Sequence, residues 1–397
     1  MRDATDLFHV TDIDPHELTQ HLMSTFHRGA FSALDRIDIP DADEPELQIY
    51  FRPNGQISKI ATSLTAEKLQ PVITKLERLF LSPTRQKVQR FICFADSPVT
   101  GTWECEAFTI TAAPPEAPRP QQFLADHPYI LEVPFDATDD GFVNMRRVSR
   151  LRGRYELLLS LFVPGIRTTR NGLDTMWGID IGNLQPGEPT PHLVQSFYNI
   201  PGFQAVADNR TPLADPPIAL IPDTEYFNRR GRRVDHELDL PQSLQAWVDA
   251  ALACEEQLSK QLLRSAYWLR HAYDVFQLSQ SASLVAAVQA VEALLPTTKG
   301  QVCSTCNREI GPGPTQKFKN FLQQYVPTTS KEELKARSLL YRQRSQLTHG
   351  HELLTSDSDH HFGWTNPAHA FDRQTLDDAL RLARICAINW FSDHIGL

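Results

Sequence analysis

The sequence predicts an α+β protein, with a mixed α/β region over residues 1–238 followed by a nearly all-helical region over 239–397. Three observations point there. Short runs of aromatic and β-branched residues, bounded by Gly, Pro and Asn, recur through the first half in the pattern of strands between turns. From Ser243 onward apolar residues recur every three or four positions with hardly any proline or glycine, the period of helices that each bury one face. At 397 residues the chain is too long for one ordinary core, and two domains suit it.

In chain order, Asp14-Pro15 reads as an N-cap followed by proline at the first helical position, with Leu18, Leu22 and Phe26 on one face. A second helix is expected over 65–81. Strands are expected at 47–51, 91–94 and 102–110. The proline-rich 112–120 segment continues neither element and reads as a stiff connector that could divide two subdomains. Further strands are expected at 129–135, 155–163, 176–181 and 192–198. The helical region then opens with one long helix carrying Trp247, Ala251, Cys254, Leu258, Leu262, Ala266, Leu269 and Tyr273 inward. A second, capped by Ser281 or Ser283, buries Leu284, Val288, Val291 and Leu295 and stops at Pro296, with Glu292 beside the apolar face. Phe318, Phe321, Leu322 and Tyr325 mark a short helix. Ser330-Lys331-Glu332-Glu333 is a capping box that opens the helix toward Gly350, and a last helix starts near Thr375.

Composition excludes several classes. An apolar fraction of 41% and a charged fraction of 22% are those of a globular protein, and no apolar run approaches the length of a membrane span. Met1-Arg2-Asp3-Ala4-Thr5-Asp6 has neither the apolar core nor the cleavage site of a signal peptide, so a cytoplasmic protein without disulfides and without a membrane partner is expected. A net charge of -9 argues against a protein that coats nucleic acid, and any such contact must be a local basic patch. There is no Walker loop, no Rossmann glycine pattern and no nucleophile elbow.

The most informative segment is Tyr341-Arg342-Gln343-Arg344-Ser345-Gln346-Leu347-Thr348-His349-Gly350. On a continuous helix, residues five apart point about 140° away from each other. Gly350 is a natural residue to follow a helix C-cap, which places His349 at the helix end, where its ring can turn back over the last turn. A histidine there can move a proton to or from a 2′-hydroxyl, and an arginine can hold a phosphate with two donors. Together with the helix Val288-Gln289-Ala290-Val291-Glu292-Ala293-Leu294, this segment resembles the HEPN domains of the ApeA-like group. The resemblance covers about residues 245–397.

Such a resemblance implies an up-and-down helical bundle that dimerises so that two Arg-x4-6-His motifs face one cleft. It implies cutting of RNA (tRNA or mRNA) without a metal cofactor, leaving a 2′,3′-cyclic phosphate, in toxin or abortive-infection antiviral defence. Carried over by motif, His349 would be the general base or acid, Arg344 the clamp on the scissile phosphate, and Glu292 the group that orients Arg344. Tyr341, Arg342 and Ser345 would lie against the RNA. Active members often carry Asn, Asp or His where this chain has Ser345. The alternative is a catalytically inactive HEPN module for dimerisation and for binding RNA, a nucleotide or a protein, with Glu292 and Arg344 pairing two helices. In the nuclease reading the N-terminal region would restrain the effector or sense a phage-derived or small-molecule trigger, by analogy with such effectors.

Other features are less specific. Cys303 and Cys306 have the spacing of a structural zinc knuckle, although no second Cys-x-x-Cys exists. Further ligands would have to come from His351, His360, His361, His369 or Cys386, and a redox pair or two free thiols are the alternatives. Asp359-His360-His361 reads as a polar loop. Arg229, Arg230, Arg232 and Arg233 just before the helical region could contact RNA phosphates. The run Arg146, Arg147, Arg150, Arg152 and Arg154 could do the same, or balance neighbouring acids.

Overall fold

A computed structural model describes residues 1–26, 29–40, 45–80, 85–118, 125, 127–167, 175–180, 192–197, 200–213, 216–228, 236–276, 278–296, 301–302, 309–310, 312–358 and 367–397. The protein is α+β, with sheets in its N-terminal region and helices in its C-terminal region. It divides into two compact units. One comprises Met1–Phe91, Leu131–Gly153 and Gly202–Pro212, and the other Ile92–Ile130, Arg154–Pro201 and Leu213–Leu397, so the division is not a single cut at residue 238.

The chain starts with β1 (Arg2–Asp3), α1 (Pro15–Thr25), β2 (Ala30–Ala33), β3 (Arg36–Pro40), β4 (Pro45–Phe51), β5 (Ile57–Thr62) and α2 (Ala66–Phe80). The strands form an antiparallel sheet in the order β1-β5-β4-β3-β2. Alternation puts Leu47 and Ile49 of β4 on one face, where they meet Leu18 and Leu22 of α1 and Leu69, Ile73 and Leu76 of α2 in one core. As expected, Asp14 caps α1, its carboxylate accepting from the backbone N–H groups of His16 and Glu17, with Pro15 at the first helical position.

Next come β6 (Arg85–Ala95), β7 (Thr102–Glu104), β8 (Thr109–Ala112), β9 (His127–Ala137), α3 (Gly141–Phe162), β10 (Ile166–Arg167), β11 (Thr175–Asp180), β12 (His192–Phe197), β13 (Val206–Ala207), β14 (Leu220–Ile221), α4 (Asp223–Asn228) and β15 (Leu240–Pro241). The strand expected at 155–163 is instead the second half of α3. That stretch, Tyr-Glu-Leu-Leu-Leu-Ser-Leu-Phe up to Phe162, contains no β-branched residue and four leucines, and leucine loses little rotamer freedom in a helix. In the first unit, Asp140 starts α3 by accepting from Phe142 and Val143 N–H.

The helical part contains α5 (Leu244–Ala253), α6 (Glu256–Val275), α7 (Gln280–Glu292), β16 (Gln301–Val302), β17 (Glu309–Ile310), α8 (Pro314–Tyr325), α9 (Lys331–Thr348), α10 (Thr355–Ser358) and α11 (Pro367–Ile395). The expected single helix from Trp247 to Tyr273 is two, because Cys254 adopts an extended conformation, φ -68° and ψ 162°, between α5 and α6. The last helix begins at Pro367, earlier than expected, since proline fits the first turn. The cap of α7 is Ser279, whose hydroxyl accepts from Ala282 N–H. Ser281 and Ser283 lie buried inside the helix, Ser283 donating to the Ala272 carbonyl of α6.

Helix α7 packs against α6, α9 and α11, and α8 packs against α9 and α11. Its alanines, Ala286, Ala287 and Ala290, are buried, and their small side chains let the neighbouring helices approach closely. Leu262 and Leu269 of α6, Phe318 and Leu322 of α8, and Leu376, Leu380 and Phe391 of α11 fill the core around them. In the same unit, Arg384 of α11 is buried and donates to the Leu161 and Ser160 carbonyls at the end of α3 and to the Tyr273 hydroxyl, at 3.0, 3.1 and 2.9 Å. No helix among the described residues is long and apolar enough to cross a membrane.

Candidate functional site

Helix α9 begins as its sequence requires. The Ser330 hydroxyl accepts from Glu333 N–H, satisfying one of the free donors of the first turn. Arg337, Tyr341 and Arg344 then recur on the side of α9 turned toward its neighbours. Arg337 faces Gln323 of α8, and Tyr341 packs its ring on Phe318 at 4.9 Å between centroids. One turn on, Arg344 reaches α7: its Nη2 donates to Oε2 of Glu292, the last residue of that helix, at 2.6 Å. Both side chains keep 21% of their surface exposed, so the pair sits at the rim of the bundle rather than inside it. The guanidinium carries five N–H donors, and this bond uses one. Arg344 Nε is buried without a partner among the described residues.

Tyr341 lies below this pair, with the Arg344 guanidinium 6.0 Å from its ring centroid. Burial and then the Glu292 carboxylate push the Tyr341 hydroxyl above the usual tyrosine range. With 9% of its surface exposed and its ring on Phe318, Tyr341 packs into the core beneath the Arg344–Glu292 pair. Aromatic rings in a helix stripe pack inward when a neighbour offers a complementary ring.

The helix stops where the sequence says it should. His349 is the C-cap and Gly350 takes a left-handed φ of +70°. His351 N–H bonds to the Gln346 carbonyl at 3.0 Å and Gly350 N–H to the Leu347 carbonyl at 3.1 Å, the paired bonds of a Schellman motif. The His349 and His351 rings are both exposed, with centroids 6.0 Å apart and planes at 40°. The loop that follows is anchored on the N-terminus of α7. Leu354 is buried and its N–H donates to Ser281 Oγ, while Asp357 accepts from Ser279 Oγ, Gln280 N–H and Ser281 N–H at 2.7 to 3.0 Å. Burial raises the Asp357 carboxyl's pKa, but these hydrogen bonds outweigh it and hold the group below the usual aspartate range.

Glu292 and Arg344 are thus brought together across two helices, and His349 follows on the closing turn of the same helix. No hydrogen bond joins Arg344 to the His349 ring among the described residues. Their link is the backbone: Thr348 Oγ1 donates to the Arg344 carbonyl and His349 N–H to the Ser345 carbonyl. Ser345 is half-buried and Arg342 exposed on that turn. Sequence reasoning named His351 only as a candidate zinc ligand and missed its pairing with His349. It missed Asp357 altogether, whose partners lie 76 to 78 residues away in sequence.

Arg229, Arg230, Arg232, Arg233, Cys303, Cys306, Asp359, His360 and His361 lie outside the described residues. The Cys386 thiol of α11 is completely enclosed, and burial pushes it up to about 12, so it keeps its proton and behaves as a core residue. Four of the five α3 arginines have partners, and Arg146 is exposed. Within the first unit Arg147 pairs with Glu17 at 2.9 Å, Arg150 pairs with Asp14 at 2.7 Å, and Arg152 lies 4.6 Å over the Phe91 ring. Within the second, Arg154 donates to the Ala251 carbonyl at 2.9 Å.

No family model, no curated protein and no solved structure matches the chain.

Proposed function

We propose that the chain is a metal-independent endoribonuclease of HEPN type, a toxin or abortive-infection antiviral effector regulated by its N-terminal region. The supporting observation is the closing turn of α9, where a guanidinium oriented by Glu292 at 2.6 Å precedes an exposed imidazole set free by the Gly350 stop. In this reading His349 takes the proton of an RNA 2′-hydroxyl as that oxygen attacks the adjacent phosphorus. Arg344, through the donors Glu292 does not use, holds the phosphate and the negative charge that grows on it. A second copy of the chain, docked through the helical part, would bring a second motif to the same cleft. Catalysis so arranged calls for no metal.

The Arg344–Glu292 bond also favours a second reading. A guanidinium already committed to a carboxylate is what an ion pair between two helices requires, and a catalytically inactive module for dimerisation and for RNA, nucleotide or protein binding would use it that way. One assay separates the two. Purified protein incubated with tRNA or total RNA in EDTA is expected to release fragments ending in a 2′,3′-cyclic phosphate. Arg344→Ala and His349→Ala variants that keep the parent's melting temperature are expected to lose at least about 100-fold in rate, the lower end of what a proton-transfer group contributes. RNA left whole by the parent, or cleavage that survives both substitutions, removes the nuclease assignment from this turn.

A further inference from the structure

We propose that His351 is a second catalytic residue of this turn, the general acid that protonates the leaving 5′-oxygen. The proposal rests on the nuclease reading above. Transesterification of RNA needs two proton transfers on opposite sides of one phosphorus. The 2′-oxygen loses its proton as the P–O2′ bond forms, and the 5′-oxygen gains one as the P–O5′ bond breaks. One imidazole that has just accepted the first proton stands on the attacking side and does not reach the departing oxygen. The closing turn of α9 carries two exposed imidazoles, with ring centroids 6.0 Å apart. Each ring nitrogen reaches about 3 Å to a hydrogen-bond partner, so the pair can bracket a phosphodiester.

His351 is also held in place. Its own N–H closes the Schellman turn on the Gln346 carbonyl, and three residues on, Leu354 N–H is fixed to Ser281 Oγ of α7. The chain between these anchors is too short to carry the ring away. Within one chain the other acids near the turn are otherwise engaged: Glu352 accepts from Gln346 Nε2 at 3.0 Å, and Tyr341 is buried in the bundle. The products are a 2′,3′-cyclic phosphate and a 5′-hydroxyl, with His349 left protonated and His351 neutral. Exchange with solvent resets both rings.

The test uses two RNA substrates with the full-length protein, one ordinary and one whose scissile 5′-oxygen is replaced by sulfur. A thiol ionises near pH 8.5, so a thiolate leaves without an acid's help. His351→Ala and His351→Gln are expected to lose about 100-fold on ordinary RNA and to recover most of the parent rate on the sulfur substrate. His349→Ala is expected to fail on both. Parental cleavage of ordinary RNA by the His351 variants, or an equal loss on the two substrates, overturns the general-acid role while leaving the nuclease reading standing. A parent protein that cuts neither substrate overturns both.

Discussion

Asp357 gathers three donors from the first turn of α7, two of them backbone N–H groups that the helix itself leaves unbonded. Asp357→Ala is expected to cost about 1 kcal/mol of stability, the usual loss when a helix cap is removed, measured by urea denaturation of otherwise identical proteins. The carboxyl is held below its ordinary value of 3.8, so its contribution is complete above that pH and is lost as the pH falls through the lower folded value. The same substitution also frees one side of the loop that carries His351. At this scale the sequence was legible where a residue acts on its own neighbours. Gly350 as the stop and Asp14 and Ser330 as caps follow from local pattern, whereas the meeting of Arg344 with Glu292 is implied only by the resemblance. Asp357 did not, because its partners are set by how helices meet and not by local pattern, and His351, whose partners are local, reads in the sequence only as a candidate metal ligand.

The elements that departed from expectation did so for two physical reasons. Residues 155–162 look strand-like when read as an apolar run, but leucine favours the helix, and Arg384 receives the end of that helix on its guanidinium. A short apolar run does not carry its own period, and only length and flanking residues decide between strand and helix. The α5–α6 break leaves almost no mark, since Cys254 and Glu255 are neither glycine nor proline. Arg384→Leu removes three bonds from a charged buried donor, two of them to helix-terminal carbonyls. It is expected to cost about 3 kcal/mol, read as a lower denaturation midpoint for the helical part. Retention of the parent's midpoint would show that water replaces the guanidinium at the α3 terminus.

Over the whole molecule, acid acts at different pH in the two units. In the first, His21 of α1 is completely buried, with Nδ1 2.8 Å from Asp140 Oδ2. Burial depresses the imidazole's pKa below 6.5 despite the pull of Asp140, so the folded state keeps a neutral ring that the unfolded chain protonates. Its contribution is complete above 6.5 and is lost as the pH falls below that value. Asp140 itself is raised by burial and lowered more by His21 and the Val143 and Phe142 N–H groups, so its contribution, like that of Asp357 in the second unit, is lost only below 3.8. Hydrogen exchange compared between about pH 7.5 and about pH 5.5 is therefore expected to show α1 and the start of α3 opening, with α7 and α9 unchanged after correction for intrinsic rates. His21→Phe is expected to abolish that difference. The sequence foretold α+β architecture from its two periodicities. It did not foretell the division into units, because a chain that leaves one core and later returns to it bears no compositional mark.

Gly350 holds a backbone conformation that its L-handed neighbours avoid, yet a Cβ placed there would meet nothing within 4 Å. What bars other residues from this position is chirality alone, at about 1 to 2 kcal/mol. A mirror-image D-alanine, for which positive φ is the natural choice, would fit where L-alanine does not. The separation of the two imidazoles thus rests on a single α-carbon that, lacking a Cβ, has no handedness of its own.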